Sequence, residues 1–149
     1  MMIANPVNAS PLMFPIVECF HIAGFVLAIG SMALVDFRLL NWVMRRQTAA
    51  ELADDTAPWT LGGWILVVSS GLLLYSSDPD MYYLNLSFQL KIVSLAAAIV
   101  YHYTIERKVV LSGASPGKSK LVALVSLALW TGVLFGGTYI GFVGRGITF

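Results

Sequence analysis

Apolar residues fall into four long runs along the chain, divided by short polar breaks. The first extends from about Phe14 to Trp42, the second from about Trp59 to Tyr75, the third from about Leu86 to Tyr103 and the fourth from about Leu121 to Val143. A helix needs roughly 20 apolar residues to cross a bilayer core, so the second and third runs are near the minimum. The first has length left for tilt or for an extension beyond the membrane. Pro15 suits a first helical turn, with Ser10 and Pro11 in the turn before it. No basic stretch precedes this run and no small-residue cleavage site with a mature domain follows, so it is expected to stay as a helix rather than leave as a signal. The pattern predicts an all-α integral membrane four-helix bundle, a single transmembrane domain over residues 1–149.

Composition agrees: 58% of residues are hydrophobic and 11% charged, with a mean hydropathy of +0.78, outside the range of soluble domains. Net charge is +1 and the basic residues are not clustered among aromatics, so nothing points to nucleic acid. The basic residues report topology instead. Arg45 and Arg46 follow the first run, and Arg107, Lys108, Lys118 and Lys120 follow the third, whereas the segment from Ser76 to Asn85 has Asp78 and Asp80 but no Lys or Arg. The positive-inside rule then puts the two basic loops in the cytoplasm and both termini on the non-cytoplasmic side, with Arg145 against the trend. Trp42, Trp59, Tyr82, Tyr83 and Tyr103 lie near run ends, as interfacial aromatics do. The segment from Gln47 to Pro58 reads as a solvated connector, with room for a short surface helix before Pro58. Asn8 and Asn85 head glycosylation-type triplets that fit an exposed outer face.

Polar residues inside the runs carry the candidate chemistry. At 100° per residue, Glu18, His21, Phe25, Met32 and Asp36 share a band about 60° wide on the first helix. On the third, Lys91 and His102 return to within about 20° of each other, with Leu95 and Ala98 in the same stripe. Charged groups at such depth face the bundle interior or a neighbouring subunit. Helices one and three run in the same direction, so His21 belongs to the outer half of the membrane and His102 to the inner end, about 16 Å apart along the normal. One metal ion or one haem cannot join both within a single chain; two sites are expected, one per leaflet.

A neutral imidazole in an apolar helix is what a b-type haem needs for axial ligation. On that reading His21 and His102 are the metal ligands, and Glu18 and Asp36 orient them. Lys91, Arg38 and Arg107 face propionates, helped by Tyr82 or Tyr83 outside and Lys108 inside. The protein passes electrons to a partner the sequence does not name. Copper is the alternative cofactor, with Met13, Cys19, His21 and Met32 as soft ligands, and small-solute or proton transport along the stripe belongs to the same alternative. A structural or assembly subunit is the third reading, since membrane histidines also simply hydrogen-bond between helices. Cys19 is the only cysteine and reads as a buried small hydrophobe. There is no Ser/His/Asp set, CxxC, HExxH or phosphate loop. On the fourth run, Gly132 with Gly136 and Gly137 with Gly141 make two small-residue faces about 140° apart, which suggests a homo-oligomer.

The stretch Pro15-Ile-Val-Glu-Cys-Phe-His-Ile-Ala-Gly and the following Gly30-Ser-Met-Ala-Leu-Val-Asp-Phe-Arg-Leu-Leu resemble the opening of a family of small uncharacterised four-helix proteins of the bacterial inner membrane. Pro58-Trp-Thr-Leu-Gly, Ser70-Gly-Leu-Leu-Leu, and Asn85 through Phe88 to Lys91 and His102 continue the likeness over about the first hundred residues. The resemblance implies that Glu18, His21, Asp36, Arg38, Lys91 and His102 are shared polar positions. It also implies a more distant similarity to copper-resistance membrane proteins and small b-type cytochromes, without an agreed activity. Asn41 stands where the family commonly has Gly, which is expected to affect only the exit from the membrane.

Overall fold

The computed structural model describes residues 6–143, which contain helices and no strand. After a short 3₁₀ turn at Pro6–Asn8 come α1 (Met13–Leu39), α2 (Ala49–Ser77), the short α3 (Pro79–Tyr83), α4 (Leu86–Tyr101), a π-helical turn (His102–Glu106) that leads directly into α5 (Arg107–Ser112), and α6 (Pro116–Val143). Four stretches are long and apolar enough to cross a membrane: α1, α2, the combined α4 to α5 rod, and α6 up to Ile140. This is a multi-pass membrane architecture, an all-helical bundle of four spans.

The spans associate as two antiparallel pairs, α1 with α2 and α4 with α6, joined along α1 and α6. The first pair closes where Gly24 and Gly63 cross. A β-carbon on Gly63 would lie 2.5 Å from the Ala28 amide nitrogen and 2.8 Å from the Gly24 carbonyl oxygen, so these two backbones touch. Lipid tails are as apolar as the side chains, and such close backbone packing is what holds helices together there. Phe25, Ile29, Met32, Val67, Ala98, Trp130 and Val133 form the central core, with Trp64 and Leu95 packed against it. Outward positions such as Phe20, Val26, Leu61, Ile65, Leu72, Val93 and Phe135 are exposed and apolar, as lipid contact requires.

The second span begins earlier than hydropathy indicates. Residues 49–58 are the first turns of α2 rather than a connector, and the helix runs through Pro58. Its start is fixed by a capping box: Thr48 Oγ1 accepts from the Glu51 amide at 3.1 Å, and the Glu51 carboxylate accepts from the Thr48 amide at 2.8 Å. Replacing Thr48 by Ala is expected to cost about 0.5–2 kcal/mol. The loss should register as faster amide exchange over residues 49–52, with residues 60–70 unchanged.

Turn chemistry explains two further details. Asn41 has φ 62° in the exit from α1, the left-handed region that glycine and asparagine tolerate best, so it does the work expected of Gly there. Asn85 is buried and caps α4, accepting from Ser87 and Phe88 amides at 2.9 and 3.3 Å while its Nδ2 donates to the Ile140 carbonyl at 3.2 Å. An amide so engaged is not a glycan acceptor. That of Asn8 donates to the Ser77 carbonyl at 2.9 Å.

Candidate functional site

The polar stripe resolves into two separate groups, one near each end of the bundle, with the apolar core between them. The group on the side of α3 draws on all four spans. His21 of α1 places Nδ1 2.9 Å from Ser70 Oγ of α2. Ser70 Oγ also lies 2.5 Å from the Leu66 carbonyl, which can only accept, so the single hydroxyl hydrogen goes there. Ser70 therefore accepts from His21 Nδ1–H, and Nε2 keeps its lone pair. The imidazole lies against Gly71, where a β-carbon would come within 3.0 Å of Cε1, and edge-on to Phe25 with ring centroids 5.0 Å apart. Lys91 of α4 crosses α6 over Gly136 and Gly137. β-Carbons at those positions would meet its Cα at 3.2 Å and its Nζ at 3.3 Å. The ammonium ends 4.9 Å from the centre of the Phe25 ring.

The second group lies at the end that carries the basic loops and is fully enclosed. Asp36 of α1 and Glu106 of the π turn both have 0% exposure. Ser126 of α6 stands between them, its Oγ 2.7 Å from Asp36 Oδ2 and 2.9 Å from Glu106 Oε2. His102 extends the chain, with Nδ1 3.0 Å from the same Glu106 oxygen and 19% of its side chain exposed. Asp36 Oδ1 and Glu106 Oε1 are buried and have no hydrogen-bond partner. One serine hydroxyl has one hydrogen for two carboxyl oxygens, so the Asp36–Ser126–Glu106 chain is complete only with a further proton on one of the carboxyls. The π turn spans His102 to Glu106 itself, and such local bulges recur at functional sites.

Several expected partnerships are rearranged. Glu18 is exposed and Ser70, not Glu18, holds His21. Glu18 instead lies near α3, where burial first, then the charges of Glu18 and Asp78, push the Tyr82 hydroxyl above its ordinary range. Glu106, not Asp36, holds His102, and Asp36 joins only through Ser126. Arg38 donates to the Gln47 carbonyl at 2.5 Å and Asn41 Oδ1 at 3.4 Å, tying down the α1–α2 turn. Arg107 and Lys108 are exposed. Cys19 is an exposed free thiol rather than a buried one. Among the described residues no group of three or more His, Cys, Asp or Glu side chains is placed to hold a metal ion. Gly137 receives Lys91 of its own chain, so it does not mark a second contact face; the side chain at 141 lies outside the described residues.

Ser70 and Ser126 were not legible as site residues. Each is one of many serines and threonines in the spans, and most of the others, such as Ser69 and Thr131, bond only to a carbonyl of their own helix. No curated protein and no solved structure matches the chain. A family model does match, over residues 13–143, so it takes in all four spans, including the fourth, which the likeness of the first hundred residues did not reach. The chain belongs to that family, DUF6644, a family of unknown function.

Proposed function

We propose that this is a proton-handling protein of the bacterial inner membrane, with its basic loops in the cytoplasm and both termini outside. The observation that carries the reading is Ser126 between two enclosed carboxyl groups. With a proton on Asp36, Asp36 donates to Ser126 and Ser126 donates to Glu106. With the proton on Glu106, both hydrogen bonds reverse, so transfer needs only two hydrogens to shift and no side chain to move. Chains of Asp, Glu and His in membrane spans are the usual parts of proton relays. His102 is the partly exposed end of this one, and the core around Trp64 and Trp130 lies in the other direction. Loading and release then occur from the basic-loop side, and passage across the membrane requires the core to rearrange.

The test is decay of a pH gradient in vesicles holding the purified protein. Decay should be faster than in empty vesicles, and Glu106→Gln should remove nearly all of that excess, since a positioned acid-base group is worth about 10²–10⁴-fold. Equal rates for wild type, variant and empty vesicles would overturn the reading.

A b-type haem protein is the second reading, favoured by the ring orientations. In both histidines Nδ1 is engaged by a protein group, Ser70 or Glu106, which is how ligating imidazoles are commonly held while Nε2 binds the metal. The donors fit; the space within one chain does not. The glycine surfaces beside His21 and Lys91 are filled by those side chains, and Lys91 and Arg38 are turned away from propionate duty. A macrocycle would need the lipid-facing surface or a second copy of the chain. A Soret band in purified protein, weakened in both His21→Ala and His102→Ala, supports this reading, and a colourless protein rejects it. No comparable observation favours copper.

A further inference from the structure

We infer that His21 and Lys91 form a binding site for the carboxyl group of an apolar acid dissolved in the membrane. This is independent of the acid chain at the opposite end. Three observations combine. Lys91 lies only about 8 Å along α4 from its first residue, near enough for its long side chain to reach the polar boundary, as lysines in spans usually do. It turns inward instead, across Gly137, to the face of Phe25. Among the described residues no carboxylate pairs with it and no acceptor takes a hydrogen from its Nζ; the Phe25 ring is its only counter-group. A ring face makes up part of what an ammonium loses on leaving water, and an anion or strong acceptor is needed for the rest.

The imidazole supplies the complementary half. Both groups lie against the same Phe25 ring, the His21 ring centre 5.0 Å and the Lys91 Nζ 4.9 Å from its centroid. With Nδ1–H given to Ser70, Nε2 presents a lone pair, while Nζ presents hydrogens. A carboxylic acid matches this pair: its O–H donates to Nε2 and its other oxygen accepts from Nζ. If the proton passes to Nε2, a carboxylate is left facing an imidazolium and an ammonium, with the same two hydrogen bonds. With the proton on Nε2 the site offers one donor from each residue, which suits the two oxygens of a carboxylate and leaves a phosphate under-bonded. The site is surrounded by spans whose outer side chains are apolar, Phe20 and Leu72 among them, so the acid carries an apolar body.

The experiment measures binding of oleic acid, methyl oleate and dodecyl phosphate to the full-length protein in neutral detergent. Oleic acid is expected to bind and to raise the unfolding temperature, and methyl oleate, which lacks the acidic proton and the charge, to bind at least tenfold more weakly. Lys91→Met and His21→Asn should each weaken oleic acid binding at least tenfold and leave methyl oleate unchanged. Equal binding of acid and ester to the wild-type protein overturns the inference with no variant needed. Dodecyl phosphate binding as tightly as oleic acid overturns the choice of carboxyl. Glu106→Gln should bind oleic acid as the wild type does, so failure of the acid-chain reading and failure of this one are distinguishable.

Discussion

Gly63→Ala is expected to destabilise the protein by about 1–3 kcal/mol, the cost of forcing a methyl group into a filled contact, and Gly63→Leu to prevent the α1–α2 pair from forming. The atoms in the way are backbone, namely the Ala28 nitrogen at 2.5 Å, the Gly24 oxygen at 2.8 Å and the Ala28 Cα at 2.9 Å, so no side chain can rotate to make room. Gly62 and Gly30, on the same two helices, have nothing within 4 Å of an added β-carbon. Alanine at either position should be neutral, or stabilising by up to about 1 kcal/mol through helix propensity. Unfolding titrations in mixed micelles compare the three directly. If Gly63→Ala unfolds together with Gly62→Ala, the two helices do not meet backbone to backbone as described.

The second large effect is expected at Ser126. Ser126→Ala leaves Asp36 Oδ2 without its partner, while Glu106 Oε2 keeps His102, and should cost about 1–3 kcal/mol, the penalty for leaving a buried polar group unpaired. Asp36→Asn should cost less, although it alters the acid itself, because the amide brings hydrogens of its own to Ser126 and needs no shared proton. Ser69→Ala is the control: its hydroxyl bonds to the Ile65 carbonyl of its own helix on an exposed face, and its loss should stay within about 0.5 kcal/mol. The same micelle titration ranks the three. Ser126→Ala equal to Ser69→Ala would mean that the carboxyl groups are not bridged.

The four spans were legible in the hydropathy pattern, and the polar stripe was legible in helical periodicity, because both depend on neighbours along one helix. Phe25, Met32 and Asp36 are buried as their shared face requires, whereas Glu18, at the outer end of the same band, is exposed. Partner choice was not legible, because it depends on contacts between helices distant in sequence. His21 meets Ser70 and Asp36 meets Ser126, pairs separated by 49 and 90 positions. Two features did carry local signals. Thr48 and Glu51 have the spacing of a capping box, which marks the true start of α2 better than Pro58 marks a boundary. His102 and Glu106 are one helical turn apart, the ordinary spacing for a side-chain pair, yet the π turn between them has no mark in residue type. The inward turn of Lys91 depends on Gly136 and Gly137 of another helix, which by themselves look like one more small-residue face.

The tryptophan-bearing core between the two polar groups also shapes the electric field. Voltage across a membrane falls mainly over its driest, least polarisable layer, and each elementary charge moved through it is worth about 2.3 kcal/mol per 100 mV. In this bundle the packing of Trp64, Trp130 and Val133 forms the apolar layer between the two polar groups. On the proton-handling reading proposed above, proton occupancy of the Asp36–Glu106 chain follows acidity on its own side, and membrane potential acts only on a step that carries charge past the indoles.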